Sequence, residues 1–283
     1  ITGSVLDKLT EDELFKNIVF SQRLGNISPN AFRLPYDFSG GIKYFWRVML
    51  TNENGESASE KSFFECGRKK AEWDIPFITT ATENIKSADF YRKFTAKSAT
   101  NARLYITALG LYEVYINGKK VGDEYFTPYC DDYRYILQYQ TYDISEYLCN
   151  GENEIAVLCG NGWYGGRYPT NGENGIGAFG KGFLLSAEIV SNGKEVLTTD
   201  EKWKEIRSPV IFSEIYDGEI YDARKDIFDE NGRVYPEIVM NGTMARFAEK
   251  PKAKIIPRIS PRVTAKERYE AVLIKTPNGE TVL

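Results

Sequence analysis

The stretch Ala102–Tyr168, ARLYITALGLYEVYINGKKVGDEYFTPYCDDYRYILQYQTYDISEYLCNGENEIAVLCGNGWYGGRY, decides the fold. Its first run, Arg103–Ala108, alternates Leu104, Ile106 and Ala108 with Arg103, Tyr105 and Thr107. That is the period of a strand with one buried face. Gly110 interrupts the run and Leu111–Ile116 resumes it. Asn117-Gly118 then supplies the two residues of a tight hairpin turn, in which both central positions need positive φ. Val121 reopens a strand. Tyr139–Ile144 (YQTYDI) is the next, and Asn153–Gly166 (NEIAVLCGNGWYGG) reads as a buried strand running into a Gly-rich aromatic loop.

The rest of the composition agrees with sheet structure. The 283 residues are 42% hydrophobic and include 19 Tyr and 16 Phe, residue types that suit a pleated, half-buried surface. Ten Asn-Gly dipeptides, from Asn54-Gly55 to Asn278-Gly279, add hairpin signals along the chain. The net charge is −4 with Lys and Arg dispersed, so no basic stripe exists to draw a nucleic acid. No apolar run approaches the ~20 residues of a membrane helix, and no signal peptide opens the sequence. Histidine is absent, which removes Ser-His-Asp and Cys-His nucleophilic catalysis and imidazole metal sites together. Cys66, Cys130, Cys149 and Cys159 show no Cys-x-x-Cys spacing and read as reduced thiols, which favours the cytoplasm. A Cys149–Cys159 bridge, and export by a missing upstream signal, are the alternatives.

Working outward, Thr10 and Glu13 form a capping box for a short amino-terminal helix, and Ile18–Ser21 is expected as a strand. Lys43–Thr51 and Lys61–Glu65 make a hairpin across Asn54-Gly55. A charged linker, Arg68–Asp74, leads to the main domain. There Ala88–Thr95, Gly182–Val190 and Glu195–Thr199 are further strands. Short strands at Lys254–Ile259, Val263–Arg268 and Ala271–Thr276 follow. Many short strands with a turn every ~8–12 residues predict an all-β protein built on a jelly-roll-type antiparallel β-sandwich. The expected division is a partial β module at 1–70, the sandwich at 75–250 and opening strands of a further β region at 251–283.

Four motifs carry a family resemblance: GLYEVYINGKKVGDEYFTP (Gly110–Pro128), YQTYDIS (Tyr139–Ser145), GENEIAVLCGNGWYGG (Gly151–Gly166) and YDGEIYDAR (Tyr216–Arg224). Long and in order, they resemble the amino-terminal β-sandwich region of bacterial α-L-rhamnosidases, over about residues 40–283. The resemblance implies that 1–70 is a truncated fibronectin-type, Ig-like module. It implies that catalysis belongs to a separate helical barrel downstream, which is then this chain's partner within one polypeptide. It implies a rhamnose-containing glycan as ligand, since some members bind rhamnose with calcium in such a sandwich. An exposed apolar patch is expected where the barrel would dock.

Two segments are candidate sites. Asn161–Gly180 offers the rings of Trp163, Tyr164 and Tyr168 to cover a sugar face, and Asn161, Asn171, Glu173 and Asn174 to read hydroxyls. Trp163 and Tyr164 have a second reading, as core rings plugging the end of the sandwich. In Thr127–Arg134, the adjacent Asp131 and Asp132 are candidate substrate contacts, and with loop carbonyls they could hold calcium. Relatives tend to carry Gly-Trp-Thr where this chain has Tyr129-Cys130-Asp131, so no cofactor is assigned. Glycoside cleavage needs two carboxylates flanking the bond. Asp131, Asp132, Glu214, Asp217, Glu219 and Asp222 are the available acids, but strand-end acids commonly cap turns, and Asp222 beside Arg224 reads as a loop-fixing ion pair. Three functions stay open: a carbohydrate-contacting non-catalytic portion, a pure inter-domain scaffold, and a self-sufficient glycosidase.

Overall fold

The computed structural model describes residues 16–25, 33–70, 72–82, 87–97, 101–168, 179–270, 272, 274–279 and 281–282. The expected capping box at Thr10–Glu13 lies outside them, as do Asn171, Glu173 and Asn174. Residues 18–21 form no strand. Regular structure begins with β1 (Lys43–Thr51) and β2 (Ser57–Glu65), which pair antiparallel from Lys43↔Glu65 to Thr51↔Ser57. Then come β3 (Phe77–Thr79), β4 (Ser87–Ala96), β5 (Ala102–Leu109), β6 (Leu111–Ile116), β7 (Lys119–Lys120), β8 (Ile136–Asp143) and β9 (Gly151–Gly160). A single helical turn, α1 (Gly162–Gly165), precedes β10 (Leu184–Ser191), β11 (Lys194–Thr198), β12 (Lys204–Ile206), β13 (Val210–Glu214) and β14 (Gly218–Tyr221). The chain continues with α2 (Pro236–Asn241), β15 (Thr243–Met244), β16 (Arg246–Ala248) and β17 (Lys254–Pro257), and β18 (Ile274–Lys275) pairs with β19 (Thr281–Val282).

Two sheets stack face to face. One is seven-stranded, ordered β16-β3-β10-β5-β8-β17 with β11 added beside β10. The other is six-stranded, ordered β15-β12-β4-β9-β6-β7. This is the expected all-β sandwich, antiparallel throughout except where β17 runs parallel to β8. Strand pairing carries the seven-stranded sheet to Pro257. Beyond it, the expected strand at 263–268 reduces to one bridge, Thr264 to Glu124.

The layers follow from side-chain alternation. Phe90, Phe94, Val114, Ile155 and Val157 of the six-stranded sheet meet Leu104, Ile106, Leu185, Ala187 and Ile189 of the seven-stranded one. Trp203 plugs this core, fully buried, its indole N–H donating to the Thr198 carbonyl at 2.9 Å. Alternation alone understates the burial, because β5 is buried on both faces. Its outer residues Tyr105 and Leu109 lie in a second cluster with Trp73, Phe77, Tyr139 and Ile255. Arg103 is buried because Glu65 and Asp143 both pair with it. The outer face of the six-stranded sheet is covered too, by Ile227, Val234 and Ile238 over Tyr91, Ala156 and Ile206.

The turn chemistry is as read. Asn117 (φ 50°) and Gly118 (φ 78°) occupy the left-handed region together, as do Asn192 (φ 49°) and Gly193 (φ 74°). The four cysteines are free thiols, so Cys149 and Cys159 are not bridged. Among the described residues no helix is long and apolar enough to cross a membrane.

Candidate functional site

One end of the sandwich gathers the chemistry. β9 ends at Gly160, and the chain turns through Asn161 into α1, which carries Trp163 and Tyr164. Asn161 is almost fully buried. Its Nδ2 donates to Glu214 Oε1 at 3.3 Å, and its Oδ1 has no hydrogen-bond partner. Glu214 closes β13 and is itself buried; its Oε2 accepts from the Arg167 backbone N–H at 3.2 Å. A Cβ on Gly166 would collide with the Gly162 carbonyl and with the Glu214 carboxylate, so only glycine fits between them.

Around this knot stand aromatic and charged groups. Trp163 Nε1 donates to the Tyr216 hydroxyl at 3.1 Å, and the Trp163 ring lies 6.0 Å from Phe126. Arg167 pairs with Asp217 at 2.6 Å and lies 5.5 Å from the Tyr216 ring, while its buried Nε has no partner. Tyr216 and Phe126 are about half exposed. Tyr168 packs edge-on to Phe179 at 5.4 Å, and the Cys130 thiol beside it, with burial, pushes its phenol up.

The second candidate segment lies against the first. Tyr133 stacks edge-on to Tyr164 at 5.4 Å and to Phe179 at 5.2 Å. Phe126 (φ 60°) and Tyr129 (φ 80°) bracket a cis Thr127-Pro128 bond. Positive φ on bulky residues costs on the order of 1–3 kcal/mol each and collects at binding sites and clamps.

The predicted residues are thus partly brought together. Asn161 and Trp163 share one cluster, and Tyr164 turns inward to pack on Tyr133 in the second apolar cluster. Trp163 packs against the same apolar cluster. Asp131 and Asp132 diverge. Asp131 is buried, accepting from the Gln138 backbone N–H at 2.8 Å and from Gln138 Nε2 at 2.7 Å. Asp132 faces outward onto the Arg134 guanidinium, whose hydrogen bond holds its carboxyl below the usual range. The pair does not fit calcium: its oxygens point apart and are already engaged. Among the described residues no three acidic or thiol side chains gather around a metal position. As a catalytic pair the acids fare no better, since Asp217 is tied to Arg167 and Asp222 to Arg224, and Glu219 stands exposed on β14. Arg167, Tyr216 and Phe126 were not legible as site residues. Tyr216 lies within the motif Tyr216–Arg224, whose alternation reads as scaffold.

The two stacked sheets with this loop-built end define a jelly-roll β-sandwich module. Residues 97–267, more than half of the chain, match the family model described as the α-L-rhamnosidase N-terminal domain, and the chain belongs to that family. It is 25% identical over 272 residues to an α-L-rhamnosidase of Formosa agariphila, covering 84% of this chain and 28% of that protein. A Streptomyces avermitilis α-L-rhamnosidase is 37% identical over 133 residues, 46% of this chain and 13% of its own length. Among solved structures, the Aspergillus terreus α-L-rhamnosidase superposes with a TM-score of 0.75 at 28% identity, over 86% of this chain and 30% of that one. The chain thus spans under a third of the length of these relatives.

Proposed function

We propose that this chain is the non-catalytic, amino-terminal portion of an α-L-rhamnosidase, bracing a catalytic helical barrel of the same polypeptide and holding a rhamnose-containing glycan at its loop end. The observation that carries the ligand half is the cluster of Asn161, Trp163, Arg167 and Tyr216. It offers two rings and two buried polar atoms, Asn161 Oδ1 and Arg167 Nε, without partners. Buried polar groups are normally satisfied, and a ligand hydroxyl can accept from the guanidinium and donate to the amide oxygen. Calorimetric titration with L-rhamnose, with and without added calcium, tests it. Saturable heat is expected in both conditions, and Trp163→Ala is expected to abolish it. Absence of heat at millimolar sugar rejects the glycan.

The bracing half is supported by exposed apolar side chains: Ile220 and Tyr221 on β14, and Ile259, Tyr269, Val272 and Ile274 on the chain leaving the sandwich. If no sugar binds, scaffolding alone is the reading that remains. Hydrolysis by this chain alone is not expected, because Asp131, Asp132, Glu214, Asp217 and Asp222 are already engaged and Glu219 is left without a second acid; release of aryl from an aryl rhamnoside by the purified chain would reverse that. The free thiols support a reducing compartment.

A further inference from the structure

We propose that Asp89 is a proton-operated latch that holds the β13–β14 hairpin, with Glu214, Tyr216 and Asp217, down against the sandwich. Asp89 lies on β4, on the outer face of the six-stranded sheet. Its neighbours across the strands are apolar, Leu158 on β9 and Ile206 on β12. It is 1% exposed, and neither carboxyl oxygen completes a hydrogen bond. The Ser208 hydroxyl is the polar group within reach. No ion pair reaches Asp89 among the described residues.

Beside the cover that Ile227, Val234 and Ile238 lay over this face, the β13–β14 hairpin packs on β4 next to Asp89. β13 and β14 pair only with each other, so neither sheet's ladder holds them in place. The hairpin's root is pinned there by the Ser87 hydroxyl donating to the Val210 carbonyl. Its far end carries the partners of Asn161, Trp163 and Arg167. One hairpin therefore joins the buried acid to the candidate site.

The titratable groups nearest Asp89 are Tyr115 from β6 and Tyr221 from β14 on its own face, and Cys159 of β9, which points into the core behind it. Each is pushed up first by burial, with the Asp89 charge a further cause. Glu113, paired with Lys120, lies behind Tyr115, and Asp226 and Glu219 behind Tyr221. An ionised Asp89 thus meets acids rather than cations. Burial holds its carboxyl well above the usual range in the closed hairpin. Opening admits water and returns it to about 4. The closed form therefore binds the proton more tightly. Its advantage is complete below pH ~4 and is lost as pH rises towards the closed-state pKa. Between those limits the opening equilibrium grows about tenfold per pH unit.

Hydrogen exchange on the intact chain, wild type against Asp89→Asn, tests this from pH 5 to 9. The amide keeps the shape of the neutral acid and cannot ionise. The exchange ratio of wild type to variant in peptides covering 208–222 is expected to climb about tenfold per pH unit before levelling off. The ratio in β5 peptides is expected to stay constant. A flat ratio over 208–222, or an equal rise in β5, would overturn the latch. If Asp89→Asn does not fold, carbon NMR of the Asp89 carboxyl in the wild-type chain decides: a protonated side chain at pH 7 supports the proposal, and titration near pH 4 rejects it. The latch holds whatever the site binds.

Discussion

Glu214 shows how much one side chain does at this end of the sandwich. Its two oxygens serve different elements, one the Asn161 amide after β9, the other the Arg167 backbone beyond α1. Removing it leaves two donors buried without acceptors, and such groups cost about 1–3 kcal/mol each when stranded. Glu214→Ala is expected to lower the urea midpoint with unchanged slope, a loss of about 2–6 kcal/mol of stability in all. Glu214→Gln is expected to lose less than half of that, because one amide oxygen still accepts. Equal losses for both variants would show that charge, not hydrogen-bond geometry, holds the loop. At this scale the sequence marks residue types but not directions. Asp131 and Asp132 look equivalent on paper, yet one is drawn inward by Gln138 and the other outward by Arg134. The choice depends on where β8 begins, and β8 begins at Ile136, three residues before the expected strand. Likewise the partners of Asn161 and Arg167 lie about 50 residues away, a separation no local pattern bridges.

Elements joined by local rules were the legible ones. Asn117 fills a turn position for a reason readable in the sequence, its tolerance of positive φ, and then takes on work that is not readable. Its Nδ2 donates to the Tyr147 carbonyl and to Asn153 Oδ1, both at 2.8 Å. Its Oδ1 accepts from the Glu154 N–H at 3.0 Å and from Arg233 at 2.9 Å. The β6–β7 turn is thereby fastened to β9 and to the segment over the outer face. Asn117→Ala takes away the donor to the Tyr147 carbonyl and the acceptor of the Glu154 N–H, and puts a residue less tolerant than Asn at φ 50°, for an expected loss of about 2–4 kcal/mol in chemical unfolding. Asn117→Asp keeps the acceptor and is expected to lose less at high pH than Ala does. The parallel strand β17 is the opposite case. Its residues read as a further region, but side chains far apart in sequence dock it: buried Glu124 accepts from Tyr129, Arg258 and Arg262 together. With Glu124→Gln, limited proteolysis is expected to cut between 258 and 270 at least several-fold faster while the β4–β9 core stays protected. Uniform sensitivity along the chain would mean that Glu124 holds the whole sandwich rather than the strap.

Across the whole molecule, tyrosine replaces much of what aliphatic residues do in other sandwiches. Burial on both outer faces, which alternation did not foretell, comes from covering segments: the run holding Trp73 and Ile75 over one sheet, 227–238 over the other. Beneath and between them lie phenols that must stay neutral. Burial pushes Tyr105 up to about 12, with the Glu65 charge next in effect, and it raises Tyr91, Tyr112, Tyr115, Tyr133 and Tyr142 further still. The unfolded chain ionises its phenols near pH 10. A group whose folded pKa is raised adds stability in full below the unfolded value, and loses it as pH climbs to the folded value. Stability is therefore expected to be flat in this respect to about pH 10 and then to fall steeply, several phenols contributing together. The measurement is phenolate absorbance followed alongside far-ultraviolet circular dichroism. The buried phenols are expected to ionise only in the transition that removes the sheet signal. Tyr105→Phe shifts that transition to higher pH if the linkage is right. A smooth titration of all 19 tyrosines around pH 10 on an intact fold would mean that the covering segments admit water freely.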